Sequence, residues 1–247
     1  MSIIIIVRAL RNKSDKNIDF RQGLVIDPKT GNVIESCDKK KVYLRKSLPK
    51  YVFGEGIALV NDQLIALTWR EHIGIRYELK ENKLRQIASF SFETSRKEGW
   101  GAASGLLGNK EVIVVSDGSC NLHIWDTMTL KQLQRKCIVD ENGEEVTNLN
   151  ELEIIDNKIF ANVWLSNQIA IIDWEEGRVI EWIDLSDLVG WVKLPSSKSD
   201  RMDAVLNGIA FDPSNNDILI TGKLWNRLFK IHLLFLLSFI KHSNQFQ

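Results

Sequence analysis

Short runs of β-branched and other apolar residues, each closed by Asp, Asn, Gly or Pro, recur along this chain: GLVIDPKTGNVIES, GIALVNDQLIALTW, EVIVVSDGSCNLHIWD, LEIIDNKIFANVW, QIAIIDWEEGRVIEWIDL and GIAFDPSNNDILITGKLW. Apolar alternation of this kind reads as half-buried strands, and the punctuating residues are those that turn hairpins. Helical periodicity is nearly absent. The units open with QGL at Gln22, GEGIA at Gly54, EGWGAASG at Glu98, LNELEII at Leu149 and LNGIAFD at Leu206, at intervals of roughly 30 to 57 residues, near the length of a four-stranded blade. The spacing predicts an all-β protein, a five-bladed β-propeller.

A propeller of this kind fits 247 residues as a single domain, 1–247. The opening MSIIIIVRAL is too short an apolar run for a signal peptide or a membrane span and reads as a strand that completes the last blade, closing the ring. Nothing there directs the chain to a compartment, which leaves the localisation unknown: either the protein stays in the cytoplasm, as the chain stands, or this chain lacks a leader. The first blade, about 20–48, is short: SCDKKKVYLRKSLPK stands where two strands are expected and reads as a solvated loop or exposed edge. The apolar tail, about 233–247, is expected to be a final strand or a packed tail, without a stable membrane span. With 32 basic and 32 acidic side chains there is no net field to draw nucleic acid.

Several chemistries are disfavoured by what the chain lacks. Cys37, Cys120 and Cys137 are odd in number and scattered, which predicts mostly free thiols rather than a disulfide framework or a zinc pair. The four histidines show no HxH or HExxH spacing, and there is no GxSxG elbow or GxxxxGK loop. Asp117, Glu151, Glu153 and Asp203 leave room for a structural calcium between convergent strands, without a ligand spacing to specify it. Otherwise they read as salt-bridge partners.

In a propeller the first strand of each blade lines the central channel, so the openings converge on one mouth. Glu55, between two glycines and an apolar run, would then face that mouth, where a carboxyl group in a partly apolar pocket has its pKa raised towards neutrality. The alternative is a turn residue bonded to backbone amides. Phe53, Trp69, Trp100 and Trp164 could wall such a pocket or simply pack in the core. Gln22 and Asn150 carry neutral amides and Lys223 a positive charge, suited to a polar substrate but equally to a strand start, a turn and a surface. IWD at Ile124 is a single copy of a scaffold-propeller ending and weak evidence of that class.

The run FRQGL, FGEGIALVNDQLIALTW, EGWG with VSDGS, LNELE with ANVW, EWIDLSDL, and LNGIAFDP with TGKLWNRLFKI, from about Phe20 to Ile231, resembles the plant and bacterial, zinc-independent glutaminyl-peptide cyclotransferases. The resemblance implies a five-bladed propeller that converts an N-terminal glutamine to pyroglutamate and releases ammonia. It implies Glu55 as general acid and base, and Phe20, Gln22, Phe53, Trp69, Trp100, Asn150, Trp164 and Lys223 as substrate-binding residues. It implies no catalytic metal and no required cofactor. The expected partners are peptides or proteins that begin with glutamine, met by a monomer. Two other classes stay open: a calcium-dependent lactonase-like propeller, since GIAFDP also suits that style of repeat, and a non-catalytic or degenerate interaction propeller.

Overall fold

The computed structural model describes residues 4–8, 21–26, 33–37, 48, 52–80, 83–214 and 216–232, the first three of these segments as backbone. Strands β1 (Ile4–Arg8), β2 (Arg21–Ile26) and β3 (Val33–Cys37) form a three-stranded sheet in the order β1-β3-β2. Next come β4 (Gly54–Val60), β5 (Gln63–Thr68), β6 (Ile73–Lys80) and β7 (Lys83–Ser91), paired in sequence order. The same meander recurs in β8 (Ala102–Leu107), β9 (Lys110–Ser116), β10 (Asn121–Asp126) and β11 (Gln132–Cys137), and in β12 (Leu149–Ile155), β13 (Lys158–Val163), β14 (Gln168–Asp173) and β15 (Arg178–Asp184). Two short helices, α1 (Ser186–Val189) and α2 (Lys198–Asp203), then lead into β16 (Leu206–Asp212), β17 (Asp217–Gly222) and β18 (Phe229–His232). The molecule is all-β and propeller-like. Among the described residues no helix is long and apolar enough to cross a membrane.

Turn chemistry sets the first hairpin of two sheets. Asn61 and Asp62 between β4 and β5 both have positive φ, as do Asp156 and Asn157 between β12 and β13. Two-residue hairpins need that backbone to match the strand twist, and Asn and Asp tolerate it best after glycine.

Burial falls across the four sheets from β4 onward. The first strands β4, β8, β12 and β16 are largely buried, whereas the fourth strands β7, β11 and β15 are largely exposed. The core lies between successive sheets. Ala58, Ile65 and Leu67 meet Ile113, Val115 and Trp125; Val112 and Val114 meet Leu149 and Ile159; Phe160 and Ile169 meet Ile209 and Ile220. Each such aliphatic side chain contributes about 1.5–3 kcal/mol on burial. Trp125, the tryptophan of IWD, is 1% exposed and packs at 5.6 Å from the Phe92 ring, so it belongs to the core.

The first strands sit side by side: β4 against β8, β8 against β12, β12 against β16, and β2 against both β16 and β4. Glycine sets how closely two of them approach. A methyl group on Gly56 would stand 2.6 Å from the Ala102 nitrogen, and one on Gly101 would overlap the Asn150 carbonyl.

Two expectations are corrected. The N-terminal strand does not complete the last sheet: β1 pairs antiparallel with β3, Ile4 opposite Cys37 and Arg8 opposite Val33, because β3 presents its second edge to it. Nor are the cysteines mostly free. Cys120 and Cys137 form a disulfide, with Cα atoms 4.8 Å apart. Antiparallel pairing of β10 with β11 places Asn121 opposite Cys137, so a separation of 17 in sequence becomes a neighbour contact. Most of the SCDKKKVYLRKSLPK segment and the 233–247 tail lie outside the described residues.

Candidate active site

A repeated irregularity builds the site. On β4, Gly54 pairs with Thr68 and Ile57 with Ala66, so Glu55 and Gly56 together oppose one residue. On β12, Leu149 pairs with Val163 and Leu152 with Ala161, and on β16, Leu206 pairs with Gly222 and Ile209 with Ile220. The first sheet shows the same shift, between Gln22 and Leu24 of β2. The strings RQGL, GEGI, LNEL and LNGI are therefore equivalent β-bulges, a feature that re-aims side chains at the ends of strands. Gln22, Glu55, Asn150 and Asn207 occupy the same place in each. GWGA supplies Trp100 there in the remaining sheet, where Trp100 N–H donates to Ser116 and Ser116 N–H to Gly101.

A second set of equivalent positions follows the second strand of each sheet. Trp69 N–H donates to the Phe53 carbonyl at 2.7 Å, Trp164 N–H to Asn148 at 2.8 Å, and Lys223 N–H to Val205 at 2.9 Å. Asp117, just after β9, holds the corresponding place. Six expected site residues, Glu55, Trp69, Trp100, Asn150, Trp164 and Lys223, thus fall on two recurring positions at one end of the sheets. Phe53 joins them through an edge contact with Trp69, ring centroids 5.9 Å apart. Gln22 has its backbone at the equivalent bulge, and Phe20 lies outside the described residues.

The indoles are fixed by a residue that sequence reasoning did not select. Glu98 Oε2 accepts the Nε1–H of Trp69 at 2.8 Å and that of Trp100 at 2.7 Å, and its Oε1 accepts Arg70 Nε–H at 3.2 Å. Burial alone would raise the Glu98 carboxyl, but the donors on Trp100, Trp69 and Arg70 outweigh it and hold the pKa below its ordinary value. The Arg70 guanidinium also lies over the Trp69 ring, 3.6 Å from its centroid. Trp100 meets Trp164 edge-on at 5.6 Å, and its ring lies so close to Gly118 that a methyl there would come within 2.5 Å. The result is a pre-positioned aromatic wall running from Phe53 to Trp164. The signal available in the sequence was an acid two residues before a tryptophan, in EGWG.

Glu55 is buried at 7% exposure and Asn150 at 3%. Among the acids considered for calcium, three have backbone work. Glu151 accepts Ile209 N–H at 2.7 Å, Glu153 accepts Phe211 N–H at 3.1 Å and Ile154 N–H at 3.0 Å, and Asp117 accepts Arg96 N–H at 2.7 Å. Asp203 ends α2 on the exposed surface. Among the described residues, the group of three with metal-ligand spacing is Cys120, Cys137 and Glu145, and its two sulfurs are bonded to each other.

The family model for glutamine cyclotransferase matches residues 29–233. A glutaminyl-peptide cyclotransferase of Arabidopsis thaliana is 37% identical over 194 residues, which cover 78% of this chain and 57% of that protein. The chain therefore spans a little over half the length of this curated relative. The crystal structure of Myxococcus xanthus glutaminyl cyclase superposes with a TM-score of 0.71 at 27% identity, over 92% of this chain and 95% of that one.

Proposed function

Because this chain belongs to the glutamine cyclotransferase family, we propose that it cyclises the N-terminal glutamine of peptides or proteins to pyroglutamate and releases ammonia, with Glu55 as general acid and base. The observation that carries this reading is the set of equivalent bulges. Their five positions hold Gln22, Glu55, Trp100, Asn150 and Asn207, a single carboxyl group among amides and an indole. Glu151, next to Asn150, spends its carboxylate on the Ile209 amide.

The reaction requires that arrangement. The α-amine attacks the side-chain carboxamide carbon, a five-membered ring closes, and the tetrahedral intermediate expels nitrogen. Glu55 takes the proton that the amine loses and returns it to the leaving nitrogen, which departs as ammonia. Asn150 and Lys223 offer a hydrogen bond and a positive charge to the oxyanion. Phe53, Trp69, Trp100 and Trp164 enclose the glutaminyl chain and exclude water, so ring closure becomes an intramolecular step of favourable geometry. Phe20 and Gln22 are proposed to complete the mouth from the first sheet.

We further read that sheet as the fifth blade, supported by β2 lying beside both β16 and β4. We also propose that the chemistry needs no cofactor and that the enzyme acts as a monomer. The calcium-dependent lactonase reading keeps one supporting observation: Glu55, Asn150 and Asn207 all bear oxygen ligands at equivalent positions.

The test is ammonia release from a glutamine-initiated peptide, with and without a chelator. Wild-type protein should release ammonia equally in both conditions, and Glu55→Gln should lose the roughly 100- to 10,000-fold typical of removing a general acid or base. Near-normal turnover by folded Glu55→Gln would defeat the mechanism. No ammonia release from glutamine peptides, together with lactone hydrolysis that a chelator abolishes and calcium restores, would favour the alternative.

A further inference from the structure

We propose that Asn207 is a substrate-binding residue that reads the side-chain carboxamide of the N-terminal glutamine and sets the preference for glutamine over glutamate. This rests on the cyclisation reading above. Asn207 is 1% exposed, and neither its Oδ1 nor its Nδ2 has a hydrogen-bond partner among the described residues. Such a group is costly unless something completes it.

The backbone around this unpartnered amide is tightly held. The residues that follow are gripped from the neighbouring sheet: Gly208 N–H donates to Asn162 Oδ1 at 2.8 Å, and Ile209 N–H to Glu151 Oε2 at 2.7 Å. Gly208, at φ 153°, allows the sharp bulge, and a methyl on it would strike Thr221. The backbone that follows Asn207 is therefore held from the neighbouring sheet, while its side-chain amide has no partner among the described residues. Its place is the one that Glu55 and Asn150 occupy on their own strands.

An amide with both ends open asks for a ligand that presents an acceptor and a donor in one plane. A primary carboxamide does so, pairing its oxygen with Nδ2–H and its N–H with Oδ1. The carboxylate of an N-terminal glutamate presents acceptors alone, and one of its oxygens would face Asn207 Oδ1. A buried site built for both bonds rejects a ligand that leaves one unmade.

The experiment measures kcat and KM for matched peptides beginning with glutamine or glutamate, together with thermal melting, for wild type, Asn207→Leu and Asn207→Asp. In Asn207→Leu, kcat/KM for the glutamine peptide should fall by roughly 10- to 100-fold, mostly through KM, since two neutral hydrogen bonds are lost. The melting temperature should hold or rise, because an unpaired buried amide has gone. Asn207→Leu should also shrink the preference for glutamine over glutamate, whereas Asn207→Asp should widen it, because a glutamate carboxylate would then face a second set of acceptors of like charge, and it serves as the second variant if the leucine protein does not fold. In a Glu55→Gln background, calorimetric titration with the glutamine peptide should show the same loss of affinity on adding Asn207→Leu. Unchanged KM and unchanged preference, with a lowered melting temperature, would assign Asn207 to a structural water and overturn the proposal while leaving the cyclisation reading intact. Calcium binding that Asn207→Leu abolishes would overturn it as well. Wild-type protein that releases no ammonia would instead defeat the reading on which the proposal stands.

Discussion

Asp117 and Asn207 are both polar, both buried to 1% exposure or less, and both sit at the mouth end of their sheets, yet they are treated in opposite ways. Asp117 accepts the N–H of Arg96 at 2.7 Å, the N–H and hydroxyl of Ser119, and faces His123 Nε2 at 3.3 Å. Burial alone would raise its pKa, but these donors take it down to about 2. His123 is held in turn through Nδ1 against Gln132. Asn207 has no such partners among the described residues. The made bonds of Asp117 serve the architecture, whereas the open amide of Asn207, at a bulge, is where the proposal above places the substrate carboxamide. Position alone does not decide which, since Asp117 holds the place where other sheets present Trp69, Trp164 and Lys223.

The sharpest way to break this contrast is to exchange the readouts. Glu55→Gln should lose roughly 100- to 10,000-fold in turnover with little change in melting temperature. Asp117→Ala should do the reverse. It strands the Arg96 and Ser119 donors and the His123 ring, so we expect a loss of about 3 kcal/mol of stability, read by urea denaturation, while the folded fraction keeps its turnover within a few-fold. An Asp117→Ala protein that is stable but inactive would place Asp117 in the catalytic machinery.

Glu98 tests the boundary between the two roles, since its bonds are made but to residues of the candidate site. Glu98→Ala frees two indoles and Arg70, and KM for a glutamine peptide should rise about tenfold, equivalent to roughly 1.4 kcal/mol. Changed tryptophan fluorescence without substrate should accompany it. Unchanged KM would mean the indoles are positioned by packing alone.

A further contrast concerns pH. Asp117 has a depressed pKa, so its stabilisation is present above its ordinary 3.8 and is lost as pH falls through about 2. Burial pushes Glu153 the other way, from 4.5 to about 7, against the Ile154 and Phe211 amides that favour its charged form. The folded state then holds the Glu153 proton more tightly, so that contribution is present below 4.5 and is lost as pH rises through about 7. Urea midpoints measured from pH 4 to 8 should decline less in Glu153→Gln than in wild type, and parallel curves would contradict this.

Much of this was legible in the residues. Alternating apolar runs and turn residues announced the strands, and the motif strings led to Glu55, Asn150, Lys223 and the three tryptophans of LTW, EGWG and NVW. Asn207 stood in LNGIAFD, quoted as an opening, but its equivalence to Glu55 depends on strand register, which no string displays. Glu98 was hidden because its partners lie 29 residues before it and 2 after, on separate segments. The Cys120–Cys137 bond was hidden for the same reason, since it needs the β10–β11 pairing to be known first. The pairing of β1 with β3 turns on which sheet edge the N-terminal strand meets, a choice that an apolar run does not encode.

That bond gives the molecule a dependence on electrons. Cys120 lies two residues beyond Gly118, which lies against the Trp100 ring, and its carbonyl accepts the Ile138 N–H at 2.8 Å. Opening a closed loop of this size in the unfolded chain forfeits about 3 kcal/mol. The thiol-to-disulfide ratio of the surroundings therefore enters the folding equilibrium of this sheet as a two-electron, Nernstian variable, about 30 mV for each tenfold change in the ratio of oxidised to reduced protein. Dithiothreitol in a purification buffer is then a reactant, and protein prepared with it and without it is two chemical species whose aromatic walls rest on differently tethered loops.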